Sequence, residues 1–109
     1  MLSKQLEKLC DNATVAHTRI QKEIKNIDPI VGVNQSMRKN GVPADIMTIE
    51  CLRTGKRIVL VLHDQQPDVI NYQFCFRNKD PEGEYHQIPF KEVTEFKLFD
   101  WMKDYFQVK

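Results

Sequence analysis

From Leu2 to Ile27 the apolar residues Leu2, Leu6, Leu9, Ala13, Ala16, Ile20, Ile24 and Ile27 recur at intervals of three and four. That period puts them on one stripe of an α-helix, with Val15 alone on the opposite side. Ser3 can cap the start by accepting a bond from an orphan amide. Asp28-Pro29 stops the helix, because the residue before proline is pushed out of the α region. The predicted helix, Ser3 to about Asn26, is about 36 Å long at 1.5 Å per residue. A helix with a single apolar stripe of that length needs a surface to cover. Ala13 and Ala16 at mid-stripe have side chains small enough to let its backbone lie close against it.

The middle of the chain supplies that surface. Ile46 to Arg53 and Lys56 to His63 read as a β-hairpin about the turn Thr54-Gly55, with β-branched residues on both arms. Pairing across that turn sets Met47, Ile49 and Cys51 opposite Leu62, Leu60 and Ile58, so one face is wholly apolar. A register two residues different leaves the same faces together. A third strand, Val69 to Arg77, points Ile70, Tyr72, Phe74 and Phe76 one way and Asn71, Gln73 and Cys75 the other. Glu84 to Phe90 forms a short fourth strand that Pro89 marks as an edge. Strands joined by short loops pair with their sequence neighbours, which predicts an antiparallel meander in the order 1-2-3-4.

Thr94 can cap a last helix from Glu95 to Gln107, with Glu95 near the positive end of its dipole and Val93 able to staple onto Leu98. Its apolar residues Phe96, Leu98, Phe99, Trp101, Met102, Tyr105 and Phe106 spread over more than one stripe, the pattern of a helix that touches two surfaces. Between Asp28 and Pro43 periodicity dissolves into Gly32, Asn34, Ser36, Asn40 and Gly41. That stretch reads as a long crossing loop, with at most a helical turn over Val33 to Met37. The expected fold is α+β: a single two-layer domain with a long N-terminal helix, a four-stranded meander and a C-terminal helix (α-β-β-β-β-α). At 109 residues the chain has room for one core.

Charge and cysteine usage exclude several classes of function. Sixteen basic against fifteen acidic residues give a formal charge of +1, so attraction to nucleic acid or anionic lipid would have to come from a local patch. Cys10, Cys51 and Cys75 are odd in number and far apart, which argues for free thiols rather than a disulfide framework or zinc knuckle. The start alternates apolar and charged residues and carries no secretory signal, and no apolar run is long enough to span a bilayer. A soluble protein of the reducing cytoplasm is expected.

No catalytic, metal or phosphate-binding signature stands out. The turn Arg53, Lys56 and Arg57, with Arg38 and Lys39 in reach, is the best anion-seeking feature, but no aromatic residue interleaves with it to stack on bases. Asn78, Asp80, Glu82, Gly83 and Glu84 mimic half a calcium loop, yet Pro89 stands where the closing carboxylate belongs. His63 beside Asp64 is the sole candidate general base, and no nucleophile accompanies it. An apolar pocket between helix and sheet could take a small molecule, though its aromatic lining is also ordinary core filling. No cofactor is expected.

What remains is a surplus of apolar surface. Two helices on one sheet face leave Val59, Val61, Val69 and Tyr85 on the other, among Glu50, Asn71, Gln73 and Cys75. No single packing direction buries every apolar residue of the last helix. The sequence therefore points to a protein-interaction module, homodimeric or with a protein partner, whose contacts include Trp101, Tyr105, Phe106, Val59 and Val61.

Overall fold

The computed structural model describes residues 4–24, 27–76 and 85–106. In chain order they form α1 (Lys4–Glu23), β1 (Pro29–Asn34), the single-turn helix α2 (Ser36–Lys39), β2 (Ala44–Cys51), β3 (Lys56–His63), β4 (Val69–Phe76) and β5 (His86–Pro89). A 3-10 turn (Phe90–Glu92) and α3 (Glu95–Phe106) are the last described elements. The α+β class is as expected, but the antiparallel sheet has five strands in the order β1-β2-β3-β4-β5 rather than four.

The additional strand is β1, in the stretch expected as a crossing loop. Pro29 occupies the first strand position, where its missing N–H costs least, and Ile30, Val31 and Val33 are β-branched residues that suit a pleated edge. Gly32 weakens the local strand signal, but it lies opposite Thr48 of β2, and the ladder to β2 satisfies backbone groups that a loop would leave to solvent. Asn34 ends the strand by accepting the Ser36 N–H at 2.8 Å on its side-chain oxygen. That Asx turn feeds α2, close to the expected helical turn.

Strand alternation sorts side chains as the sequence implied. Met47, Ile49 and Cys51 of β2, Ile58, Leu60 and Leu62 of β3 and Ile70 of β4 are buried in one cluster with the α1 stripe and with Leu98, Phe99, Met102 and Phe106 of α3. The register differs by two residues from the expected one: Met47 faces Leu60 and Ile49 faces Ile58. The cause is the turn. Leu52 to Gly55 form a four-residue connection closed by Gly55 N–H to Cys51 O at 2.8 Å, with Gly55 at φ +74°, a conformation that favours glycine. Because a shift of two preserves facing, the apolar face survives unchanged.

Both long helices lie on that face, side by side. α1 buries Leu6, Leu9, Ala13, Ala16 and Ile20, and the Arg19 guanidinium sits 3.9 Å from the centre of the Phe99 ring of α3. Asn12 donates to Val93 O at 3.1 Å, tying α1 to the start of α3. Thr94 caps α3 by accepting the Lys97 N–H at 3.2 Å. α1 ends at Glu23 rather than near Asn26, and the expected Ser3 cap lies outside the described residues. Among the described residues no helix is long and apolar enough to cross a membrane.

Ala13 is fully buried at mid-stripe, so close approach of α1 depends on its small side chain. Ala13→Leu is expected to lower stability by about 1–3 kcal/mol through overpacking, read as a reduced midpoint in urea denaturation, whereas Val15→Leu on the exposed side should change it by less than about 0.5 kcal/mol.

Candidate functional site

Along β4, Tyr72, Phe74 and Phe76 share the helix-covered face by strand alternation. Along α3, Trp101 and Tyr105 are four residues apart and share one helix face. Packing α3 beside β4 brings the two sets together. Trp101 lies 4.7 Å from Tyr72 between ring centres and meets Phe74 edge-on at 5.6 Å, while Tyr105 stacks on Phe74 at 4.9 Å. The Tyr105 hydroxyl donates to Cys75 O at 2.9 Å, and Lys56 Nζ donates to Tyr105 O at 2.9 Å. Burial pushes the Tyr105 phenol above its usual range, so it stays a neutral donor.

The core does not close over this aromatic seam. Phe74 is 40% exposed and Phe76 47% exposed, while Tyr72, Trp101 and Tyr105 are half-buried. Phe106, placed by the sequence in the same contact set, points into the core at 1% exposure. Neighbours on a helix separate here because Tyr105 reaches β4 while Phe106 turns inward. Phe96, at 62% exposure, stands apart at the start of α3. Sequence reasoning chose Trp101 and Tyr105 but missed Phe74 and Phe76 as exposed. The signal was available: four aromatic or apolar residues on one face of a strand near the sheet margin exceed what a short helix can cover.

The second sheet face has no helix over it among the described residues. Gly32, Asn34, Ile46, Thr48, Glu50, Arg57, Val59 and Tyr85 line a shallow concavity of about 400 Å³ there. Glu50 and Arg57 pair across β2 and β3 at 2.7 Å. Val61 is half-buried, whereas Val59 is only 5% exposed and has little area to offer a partner.

The basic turn does not converge. Lys56 and Arg57 are adjacent in a strand, so their side chains leave on opposite faces: Lys56 reaches Tyr105 and Arg57 reaches Glu50. Arg53 sits in the turn itself. Arg38, expected within reach, is at the other end of the hairpin, about 20 Å away at strand rise. There it donates to both oxygens of Asp45 at 3.0 Å and to both oxygens of Asp64 at 2.8 and 2.9 Å. Asp45 is a buried carboxylate at the start of β2, and a buried charge persists only when paired and hydrogen-bonded. Arg38 thus fastens α2 to the β2 and β3 ends.

That engagement also bears on the histidine pair. Asp64 is occupied by Arg38, and His63 Nδ1 accepts the Gln65 N–H at 3.2 Å. Cys75 pairs with Arg57 in the sheet, a strand length from His63, and burial pushes its thiol up despite the nearby Arg57 charge, the opposite of what a thiolate nucleophile needs. Among the described residues no group of three His, Cys, Asp or Glu side chains could hold a metal ion. Most of the calcium-like segment, residues 77–84, lies outside them. Comparison of the chain with family models, with curated proteins and with solved structures returns no match.

Hydrogen bonds from Arg38, reinforced by its charge, hold the Asp64 carboxyl below the usual carboxylate range. A carboxyl depressed in the folded state stabilises fully above its unfolded value and loses that contribution as pH falls through the folded one. The stability difference between the native chain and Asp64→Asn is therefore expected to be constant above about pH 5 and to shrink below about pH 4. Urea midpoints from pH 7 to pH 2.5 check this; a difference independent of pH would refute the coupling.

Proposed function

We propose that the chain is a non-catalytic protein-interaction module that works as a homodimer and offers the seam between α3 and β4 to a protein partner. The observation behind this reading is the exposure of Phe74 and Phe76 beside half-buried Trp101 and Tyr105. Aromatic side chains carry large apolar area at low entropic cost and dominate the centres of protein interfaces. Here Tyr72, Phe74, Trp101 and Tyr105 pack ring on ring, and the Tyr105 hydroxyl bond and Lys56 hold that end, so less ordering remains to be done on binding. Lys56 and the polar end of Tyr105 give the apolar patch the polar rim typical of such contacts. The three thiols are unpaired among the described residues, which suits a reducing compartment such as the cytoplasm.

The surface can be interrogated directly in cells. A benzoylphenylalanine photoprobe at Phe76 is expected to trap a discrete protein, either a partner or a second copy. The same probe at Val15, comparably exposed on the outer side of α1, should trap none. Equal, diffuse yields at both positions would reject the reading. Phe74→Asp in the Phe76 probe background should reduce the adduct at least about tenfold, as expected when a charge enters the centre of an apolar contact.

A further inference from the structure

The two margins of the sheet differ. β5 is a short edge of four residues ending in Pro89, a common way to discourage strand addition. β1 is a six-residue edge, Pro-Ile-Val-Gly-Val-Asn, without a single charged side chain and with no strand beyond it among the described residues.

The phase of the hydrogen-bond ladder shows which backbone groups β1 presents. Asp64 N–H donates to Pro43 O at 2.9 Å, which makes these residues a hydrogen-bonded pair of the β2–β3 ladder. Such pairs alternate along antiparallel strands, so Ala44, Ile46, Thr48 and Glu50 address β1 instead. Their partners Ile30, Gly32 and Asn34 turn inward to β2, and Pro29, Val31 and Val33 turn their backbone groups to the free edge. His17 agrees with this phase: its Nε2 lies 2.6 Å from Pro29 O, and since a carbonyl can only accept, His17 donates there. Val31 and Val33 are left with outward N–H and C=O groups.

We infer that two copies of the chain pair antiparallel along β1, joining their sheets into one of ten strands. The inference rests on the self-associating form of the reading above and names its surface. A two-fold axis must set like faces together, which requires residues of the same parity to oppose one another. With the axis beside Gly32, Val31 exchanges both hydrogen bonds with Val33 of the partner subunit, and symmetry repeats the exchange. Every outward group of both valines is then satisfied, and Pro29 stays with His17. Gly32 meets Gly32 of the partner subunit at the closely spaced pair, where no side chain obstructs the approach. Placing the axis at Val31 would instead oppose Val33 to Pro29, which has no N–H to return.

Charge favours the same occupant. The α1 residues that reach this edge, His17 and Gln21, include no Asp, Glu, Lys or Arg, and neither does β1, although 28% of the chain is charged. The α1 flank toward α3 carries Lys8, Arg19 and Glu23. Asp28, which precedes β1 in the chain, receives a hydrogen bond from Gln21 at 3.2 Å, and Glu50, opposite Ile30, is paired with Arg57. An edge strand without charged side chains repels no identical copy and gives a foreign peptide no charge pattern to read. A strand about 20 Å long under one helix layer, in a molecule 22 Å across its thinnest extent, offers on the order of 400–500 Å² per copy. Over both copies that is about 800–1,000 Å², at or just below the lower limit of about 1,000 Å² for specific interfaces, so a weak dimer dissociating in the micromolar to submillimolar range is expected.

Sedimentation of the full chain from about 5 μM to 1 mM, combined with residue-resolved amide exchange over the same range, tests this. The expected result is a monomer–dimer equilibrium in which the Val31 and Val33 amides slow at least about tenfold with concentration, while Gly32 and Asn34, bonded to β2, are slow throughout. Val33→Pro removes one outward N–H without touching the β2 ladder and should weaken dimerisation at least about tenfold, with the far-ultraviolet spectrum unchanged as a check of folding. A chain that stays monomeric to 1 mM overturns the inference, as does a dimer whose Val31 and Val33 amides exchange at solvent rates. Either result leaves the seam between α3 and β4 to stand or fall on its own photoprobe.

Discussion

Burial of one sheet face beneath two helices is the constraint on which the rest of this structure depends. The side chains of β2, β3 and β4 alternate, so a continuous apolar face forms only if those strands stand side by side, and α1 can bury its stripe only against such a face. Ala13 and Ala16 bring α1 close, Arg19 over Phe99 and Asn12 to Val93 set it beside α3, and both helices are then spent on the same side. Everything functionally suggestive follows from that allocation: a second face with no helix over it among the described residues, a seam where α3 meets β4, and a sheet margin at β1.

The polar contacts described fasten elements of the fold to one another. Arg38 uses its planar fork on two carboxylates at once, one buried and one exposed, and so anchors the segment between β1 and β2 that composition alone describes as loop. Glu50 with Arg57, and Lys56 with the α3 backbone, do the same at the other end of the hairpin. A general base or a phosphate clamp needs groups converging on an empty point. Among the described residues, Arg38 converges on Asp45 and Asp64, and Arg57 on Glu50.

The surfaces left over are of two physical kinds, and they suit different contacts. The aromatic seam offers area and rigid shape, the currency of side-chain recognition. The β1 edge offers directional backbone bonds and neutrality, which suit a symmetric strand pairing. A module built this way would join copies at one side of the sheet and present aromatic rings at the other, since β1 and β4 are separated by the width of two strands.

Periodicity by itself determined much of this protein: the long first helix, the hairpin and its apolar face, the strand from Val69, the Thr94 cap and the last helix, because each depends on local spacing and nearby turn chemistry. Tertiary structure decided what spacing cannot encode. Pro29 to Asn34 became a strand because β2 had an unsatisfied edge, not because its residues insist on one, and the hairpin register followed from a four-residue turn that Gly55 permits. Trp101 and Tyr105 were legible as surplus, but their separation from Phe106, and the exposure of Phe74 and Phe76 beside them, depended on where α3 crosses β4. Lys56 and Arg57 are neighbours in the chain and opposite in space for the same reason: in a strand, adjacency divides side chains between faces, and only the packed sheet shows what each face meets.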